Sequence, residues 1–225
     1  PWLAPGVTGE AKAPWFERHC VKATIWIAIF GFIGNWWYTH YFYSVLKASY
    51  TMPAHDVNGV PIAMFLATHF YFTLYHVLAA QALRAVRAKY NQGIVRFGFE
   101  CLLIGAMAYT TAFTESATIS GFPCYSFADV HQAYTLGSAF YGIYFIVSYP
   151  LFANLDEPPA DSPLSRIQRH SLRSAVLEAL GAGMAVLLLL DLVRVGLEIP
   201  LVVDLSRPCK LDASLTCKPF DGQFC

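Results

Sequence analysis

At 225 residues, with 56% hydrophobic, 16% aromatic and only 13% charged side chains and a mean hydropathy of +0.44, the chain is too apolar for an ordinary soluble domain. It reads as an integral membrane protein. Basic and acidic residues balance to a formal net charge of zero, which leaves no electrostatic footprint for nucleic acid.

A bilayer span takes about 20 apolar residues, and about five stretches reach that length. The sequence begins at Pro1 without an initiator Met, so a missing or processed N-terminus is allowed for. Residues 1–19 read as an N-terminal cytosolic segment. The first span, Cys20 to Leu46, ends in an unusual block in which Trp36, Trp37, Tyr38, Tyr41, Phe42 and Tyr43 surround His40, with Asn35 just before. Met52-Pro53 and Asn58-Gly59-Val60-Pro61 break the pattern. The second span, Ile62 to Arg84, carries His69 and His76, and Asn91-Gln92-Gly93 closes it. Phe97 to Ile119 holds Glu100 near its start and Glu115 near its end. After Gly121-Phe122-Pro123, Tyr134 to Ala153 forms the fourth span. A Pro-rich stretch from Glu157 to Pro163 precedes the fifth, Ala175 to Val203, which contains Asp191 and Arg194. The expected fold is all-α, a polytopic transmembrane helix bundle forming a single domain over residues 20–203, followed by a non-cytosolic tail over 204–225.

Ten basic residues, from Lys12 through Arg84 and Arg96 to Arg173, fall on the side of the N-terminus and the second and fourth loops. Lys47, Arg207, Lys210 and Lys218 fall on the other. The positive-inside rule makes the first side cytosolic. Cys124, Cys209, Cys217 and Cys225 then share a non-cytosolic compartment, where they either form two disulfides or remain free thiols.

With helices alternating in direction and rising about 1.5 Å per residue, His40, Glu115 and Asp191 lie in the non-cytosolic half, joined by His69. Ionisable groups at such depth face a bundle interior or cavity and mark a functional site by default. Each also has a plainer reading. Asp191 and Arg194 are spaced for an ion pair within one helix. His69 and His76, seven apart, share a face and suit either core polar contacts or a pocket wall. Glu100 reads as a solvated or paired end residue. Glu115 has only the hydroxyls of Thr114 and Ser116 beside it, and a carboxyl desolvated without a cation keeps its proton at neutral pH. The chain has no phosphate-binding loop, dinucleotide fingerprint, HExxH, CxxC or nucleophile elbow. It also lacks the dense histidine clusters of membrane iron enzymes. No cofactor and no metal is expected. Proton chemistry or a pocket for a large apolar molecule remains.

The runs VKATIWIAIFGFIGNWWYTHYFYSVLKASYTMP, THFYFTLYHV, ESATISGFPCYSFADV, FYGIYFIVSYPLFANLDEP, EALGAGM and LDLVR resemble the plant-type cycloeucalenol cycloisomerases, or cyclopropyl sterol isomerases, across nearly all of Trp15 to Leu197. The resemblance implies a membrane enzyme of sterol synthesis in the endoplasmic reticulum. Its activity would open the 9β,19-cyclopropane ring of a 4α-methyl sterol to give a Δ8 sterol, of the cycloeucalenol-to-obtusifoliol type. It aligns Asn35, His40, His69, His76, Glu115, Asp129, Tyr134, Asp156, Asp191 and Arg194 with family positions. Family members carry further hydrophobic segments, two by expectation, ahead of the region matched here.

Ring opening needs an acid, a base and something to stabilise a carbocation without attacking it. Glu115 is the expected acid, with Asp191 or Asp129 next in line. His40 or His69 is the expected base or relay. The aromatic block supplies π-faces, or else anchors the helix at the lipid interface. Asn35, His76 and Tyr134 join it as expected substrate contacts, in a cleft open to the membrane and reaching His69 and Glu115. Two other readings stand beside this one. One is a non-catalytic subunit of a photosynthetic or respiratory assembly in a thylakoid or mitochondrial inner membrane, with partner subunits and a histidine holding a pigment magnesium. The other is a sterol or lipid carrier.

Overall fold

The computed structural model describes residues 10, 13–155 and 170–200. Asp156, the cysteines beyond position 200 and the tail from 204 therefore lie outside the described residues. Among the described residues, five helices are long and apolar enough to cross a membrane: α1 (His19–Val45), α2 (Ile62–Lys89), α3 (Ile94–Ile119), α4 (Val130–Ala153) and α5 (Leu172–Gly196). The chain is a multi-pass, all-α membrane protein, with only short strands beside the helices.

Local chemistry sets the helix ends. α4 starts four residues before the apolar run suggests, because Asp129 Oδ1 accepts the Gln132 N–H at 2.9 Å as an N-cap. Ser171 caps α5 in the same way through the Ser174 N–H at 3.0 Å. α5 ends at Gly196, short of Val203. Pro200 disfavours helix at Ile199, and the chain turns through Glu198 at φ 56°. Arg194 fastens that turn, reaching the Ile199 carbonyl at 2.8 Å. At the opposite end of the bundle, Glu100 accepts from Arg96 at 2.9 Å and from Arg87 at 3.4 Å, which ties α3 to α2.

α4 is the central helix, packed against α2, α3 and α5. α3 approaches it closely because Gly142 lies on the Ala108 backbone, where an added Cβ would sit 3.7 Å away, and small residues let membrane helices meet. α1 packs on α5 and α2. The core between them is aromatic. Trp26, Phe30, Phe72, Phe145, Tyr149 and Phe152 surround His76, which is fully buried.

Two helices contain a wider π turn: Gly34–Tyr38 in α1 and Ala133–Gly137 in α4. Each inserts a residue and rotates the face that follows, a device often found at functional sites. The two helices meet closely at Gly137, where a Cβ would stand 2.8 Å from Leu46 Cγ and 3.3 Å from the Gln132 carbonyl.

Short strands cover the same end of the bundle. β1 (Ala48–Tyr50) pairs antiparallel with β4 (Tyr125–Phe127), placing Tyr50 opposite Tyr125. β2 (Asp56–Val57) and β3 (Val60–Pro61) form a hairpin. Its turn residues Asn58 and Gly59 have φ of 56° and 75°, as an Asn-Gly hairpin turn requires. Asn58 Nδ2 donates to the Trp36 carbonyl at 2.6 Å and the Tyr43 hydroxyl to the Gly59 carbonyl at 2.6 Å, so the hairpin is pinned to α1.

Candidate functional site

A cleft with a volume of about 80 Å³ lies between α1, α2, α3 and α4 below the β1–β4 ladder. α1 contributes Asn35, Tyr38, Thr39, Phe42 and Leu46; α2 contributes Met64, Thr68 and Phe72. Glu115, Ser116 and Ile119 come from α3, Tyr141 and Tyr144 from α4, and Tyr50 and Tyr125 from the strands. Ligand sites for whole small molecules run to about 300–1,000 Å³. The cleft therefore has room for the reacting portion of a larger apolar ligand, with the remainder outside it.

Asn35, Tyr38, Phe42 and Leu46 fall on one stripe of the α1 wall through their three- and four-residue spacing. Asn35 is locked there by its own polar groups: Nδ2 donates to the Gly31 carbonyl at 3.0 Å, and Oδ1 accepts from the Thr68 hydroxyl at 3.2 Å. Tyr38 is held from two sides, donating to the Gly183 carbonyl at 3.1 Å while its own carbonyl accepts from the Tyr144 hydroxyl at 3.1 Å.

Among the described residues Glu115 is the one carboxyl on the wall, and no Lys, Arg or His lines the cleft with it. Its Oε2 accepts a hydrogen bond from the Tyr141 hydroxyl at 2.9 Å. Aromatic faces crowd the rest. Tyr38 and Tyr144 have centroids 4.5 Å apart, Tyr141 meets Tyr144 edge-on at 4.6 Å, and Tyr50 stacks on Phe42 at 5.6 Å and faces Tyr125 at 5.5 Å. A carboxyl able to exchange a proton, inside a ring of π-faces that attract positive charge without forming bonds to it, equips the cleft for carbocation chemistry.

The expected site residues divide between this cleft and other parts of the bundle. Asn35, Tyr38, Phe42 and Glu115 line it. His40 points elsewhere: it is 2% exposed, edge-on to Trp37 at 5.6 Å and 3.4 Å from Asn58 Nδ2. Trp36 and Trp37 lie on the outer surface, 36% and 48% exposed. Tyr41 packs on Phe140 at 5.8 Å, and Tyr43 is turned to the hairpin. His69 is half-buried on α2, one residue beyond Thr68. His76 belongs to the aromatic core, its Nδ1 2.7 Å from the Phe72 carbonyl and its Nε2 2.8 Å from Ser148 Oγ. A carbonyl only accepts, so Nδ1 carries the proton and Nε2 accepts from the serine. Tyr134 shares a 2.6 Å hydrogen bond with Ser120. Asp191 accepts from Arg194 at 2.6 and 2.9 Å, the ion pair that their spacing suggests.

Tyr50, Tyr125, Tyr141, Tyr144 and Thr68 are wall residues beyond those the sequence nominates. Tyr141 and Tyr144, three apart in the stretch FYGIYFIV, carry a sequence signal, since buried phenols need partners. Tyr50 and Tyr125 carry none, because only the strand pairing brings them together.

No family model matches the chain, and no solved structure matches it. The cycloeucalenol cycloisomerase of Arabidopsis thaliana is 41% identical over 186 residues, which is 81% of this chain and 64% of that protein. The chain thus spans somewhat under two thirds of the length of the relative it matches. Identity of 41% over 81% of the chain supports its assignment to the cycloeucalenol cycloisomerase family.

Proposed function

We propose that this chain is a membrane isomerase that opens the cyclopropane ring of a 9β,19-cyclopropyl sterol by proton transfer inside the cleft. The observation that carries the reading is the likeness to a protein named for that activity. Its chemical support is the carboxyl of Glu115 set among tyrosine rings.

In this scheme Glu115 gives its proton to the cyclopropane methylene carbon. The bond from that carbon to the quaternary ring carbon breaks, the methylene becomes a methyl group, and the ring carbon becomes a tertiary cation. The neighbouring C–H then loses its proton, and its electron pair forms the Δ8 double bond. One proton enters and one leaves, so the product is an isomer. The sequence nominates His40 or His69 to take the departing proton. The carboxylate left on Glu115 stands on the cleft wall itself and is able to take it back. The faces of Tyr38, Tyr50, Tyr125 and Tyr144 hold the positive charge in the interval, since cation–π attraction strengthens as water is excluded.

A sterol resides in the bilayer, so it enters from the lipid. We place the protein in the endoplasmic reticulum, with the end bearing Lys22 and the Arg87–Glu100 pair toward the cytosol, on the strength of the sterol substrate and the distribution of basic residues. The test is to supply membranes containing the chain with cycloeucalenol and analyse extracted sterols by mass spectrometry. Conversion to a Δ8 sterol of unchanged mass is the expected result. Recovery of intact substrate bound to the protein would replace the enzyme with a carrier.

A further inference from the structure

Two helices meet at one carboxyl. Glu115 projects from α3, and Tyr141 from α4 donates to its Oε2 at 2.9 Å. Phe145, fully buried, supports the phenol from behind, its ring 5.2 Å from that of Tyr141. Tyr144 closes on Tyr141 from the other side, edge-on at 4.6 Å. The phenol is therefore fixed by packing before it reaches the carboxyl. The α3–α4 contact does not depend on this hydrogen bond, because Gly142 and Ala108 already bring the two backbones together.

We propose that Tyr141 is a positioning residue for proton transfer, a phenol clamp on the Glu115 carboxyl. The inference rests on the reading of Glu115 as the acid and adds the group through which it works. When Glu115 gives up its proton, negative charge appears on its carboxylate in a cleft that offers no cation among the described residues. A preset O–H donor meets that charge as it develops, and hydrogen bonds to an ionised oxygen are roughly twice as strong as those between neutral groups. The same bond fixes the carboxyl's rotation. It biases which oxygen faces the cleft, in the way that outer partners orient a reacting group.

A structural tie alone would lower yield and leave turnover per folded molecule untouched. The clamp predicts a different pattern for Tyr141→Phe, which keeps the ring and removes the donor: normal accumulation, KM within about threefold, and kcat reduced by about 10- to 100-fold, the usual cost of losing such a partner. Turnover is expressed per molecule that elutes monodisperse in detergent, so poor accumulation of Tyr141→Phe does not mask the result. The deciding comparison is Glu115→Gln against Glu115→Gln/Tyr141→Phe, followed in long incubations by deuterium uptake from heavy water. A clamp acting through Glu115 makes the double variant no slower than Glu115→Gln alone. Unchanged kcat in Tyr141→Phe, or a further tenfold loss in the double variant, overturns the clamp while leaving Glu115 as the acid. Wild-type turnover in Glu115→Gln overturns the acid assignment and the clamp with it.

Discussion

Tyr50 and Tyr125 face each other across the β1–β4 ladder with ring centroids 5.5 Å apart, and both line the cleft. Two loops separated by the whole of α2 and α3 thus supply one aromatic end wall. Tyr125 also reaches down to α2, its hydroxyl 3.5 Å from Met64 Sδ.

Removing that wall tests its role. Tyr125→Ala withdraws one π-face, worth about 0.5–2 kcal/mol toward a cation, and is expected to lower turnover about 2- to 30-fold. Tyr125→Phe, which keeps the face, is expected to remain within about threefold of wild type. Steady-state assays on membranes matched for protein content check the pair. Equal activity in both variants would remove the strand wall from the chemistry.

His76 is expected to matter for folding and not for turnover. His76→Ala leaves a cavity among the six core rings and takes away the side-chain partner of Ser148, a combined cost of about 2–4 kcal/mol. Thermal unfolding in detergent is expected to shift downward markedly, while kcat per folded molecule stays within about threefold.

At Gly137 packing is coupled to the site. Gly137→Ala drives a Cβ against Leu46 Cγ and the Gln132 carbonyl, an overpacking worth about 1–3 kcal/mol, and Leu46 is a cleft residue. Loss of both yield and activity is expected. Leu46→Ala in the same chain is expected to restore part of the yield, measurable as fluorescence-detected protein after extraction. No recovery would mean that the Gln132 carbonyl is the dominant clash.

The five spans were legible because each is a predominantly apolar run long enough to cross a bilayer, with Pro, Gly or Asn in the breaks between them, and Glu115 stood out because its neighbours carry no charge. The facing directions were not legible. Counting residues along a helix gives height and relative azimuth, but which face meets the cleft depends on neighbouring helices that the sequence does not locate, and the π turns at Gly34–Tyr38 and Ala133–Gly137 shift it further. Tyr38 and Phe42, four apart, line the cleft, while His40, two from each, faces away and packs against Trp37 and Asn58. The Asp191–Arg194 pair followed from i,i+3 spacing alone. The β1–β4 pairing joins residues about 75 apart, and no local pattern announces such a contact.

Central to the account is the carboxyl proton of Glu115. The direct test incubates membranes containing the wild-type chain or Glu115→Gln with cycloeucalenol in heavy water and follows deuterium in the new methyl group. The wild type is expected to form a Δ8 sterol with one deuterium in that methyl. Glu115→Gln keeps the shape and loses the acidic proton, so it is expected to accumulate normally and to react about 10²- to 10⁴-fold more slowly. A Glu115→Gln chain that accumulates normally and labels the methyl group at the wild-type rate would contradict the account.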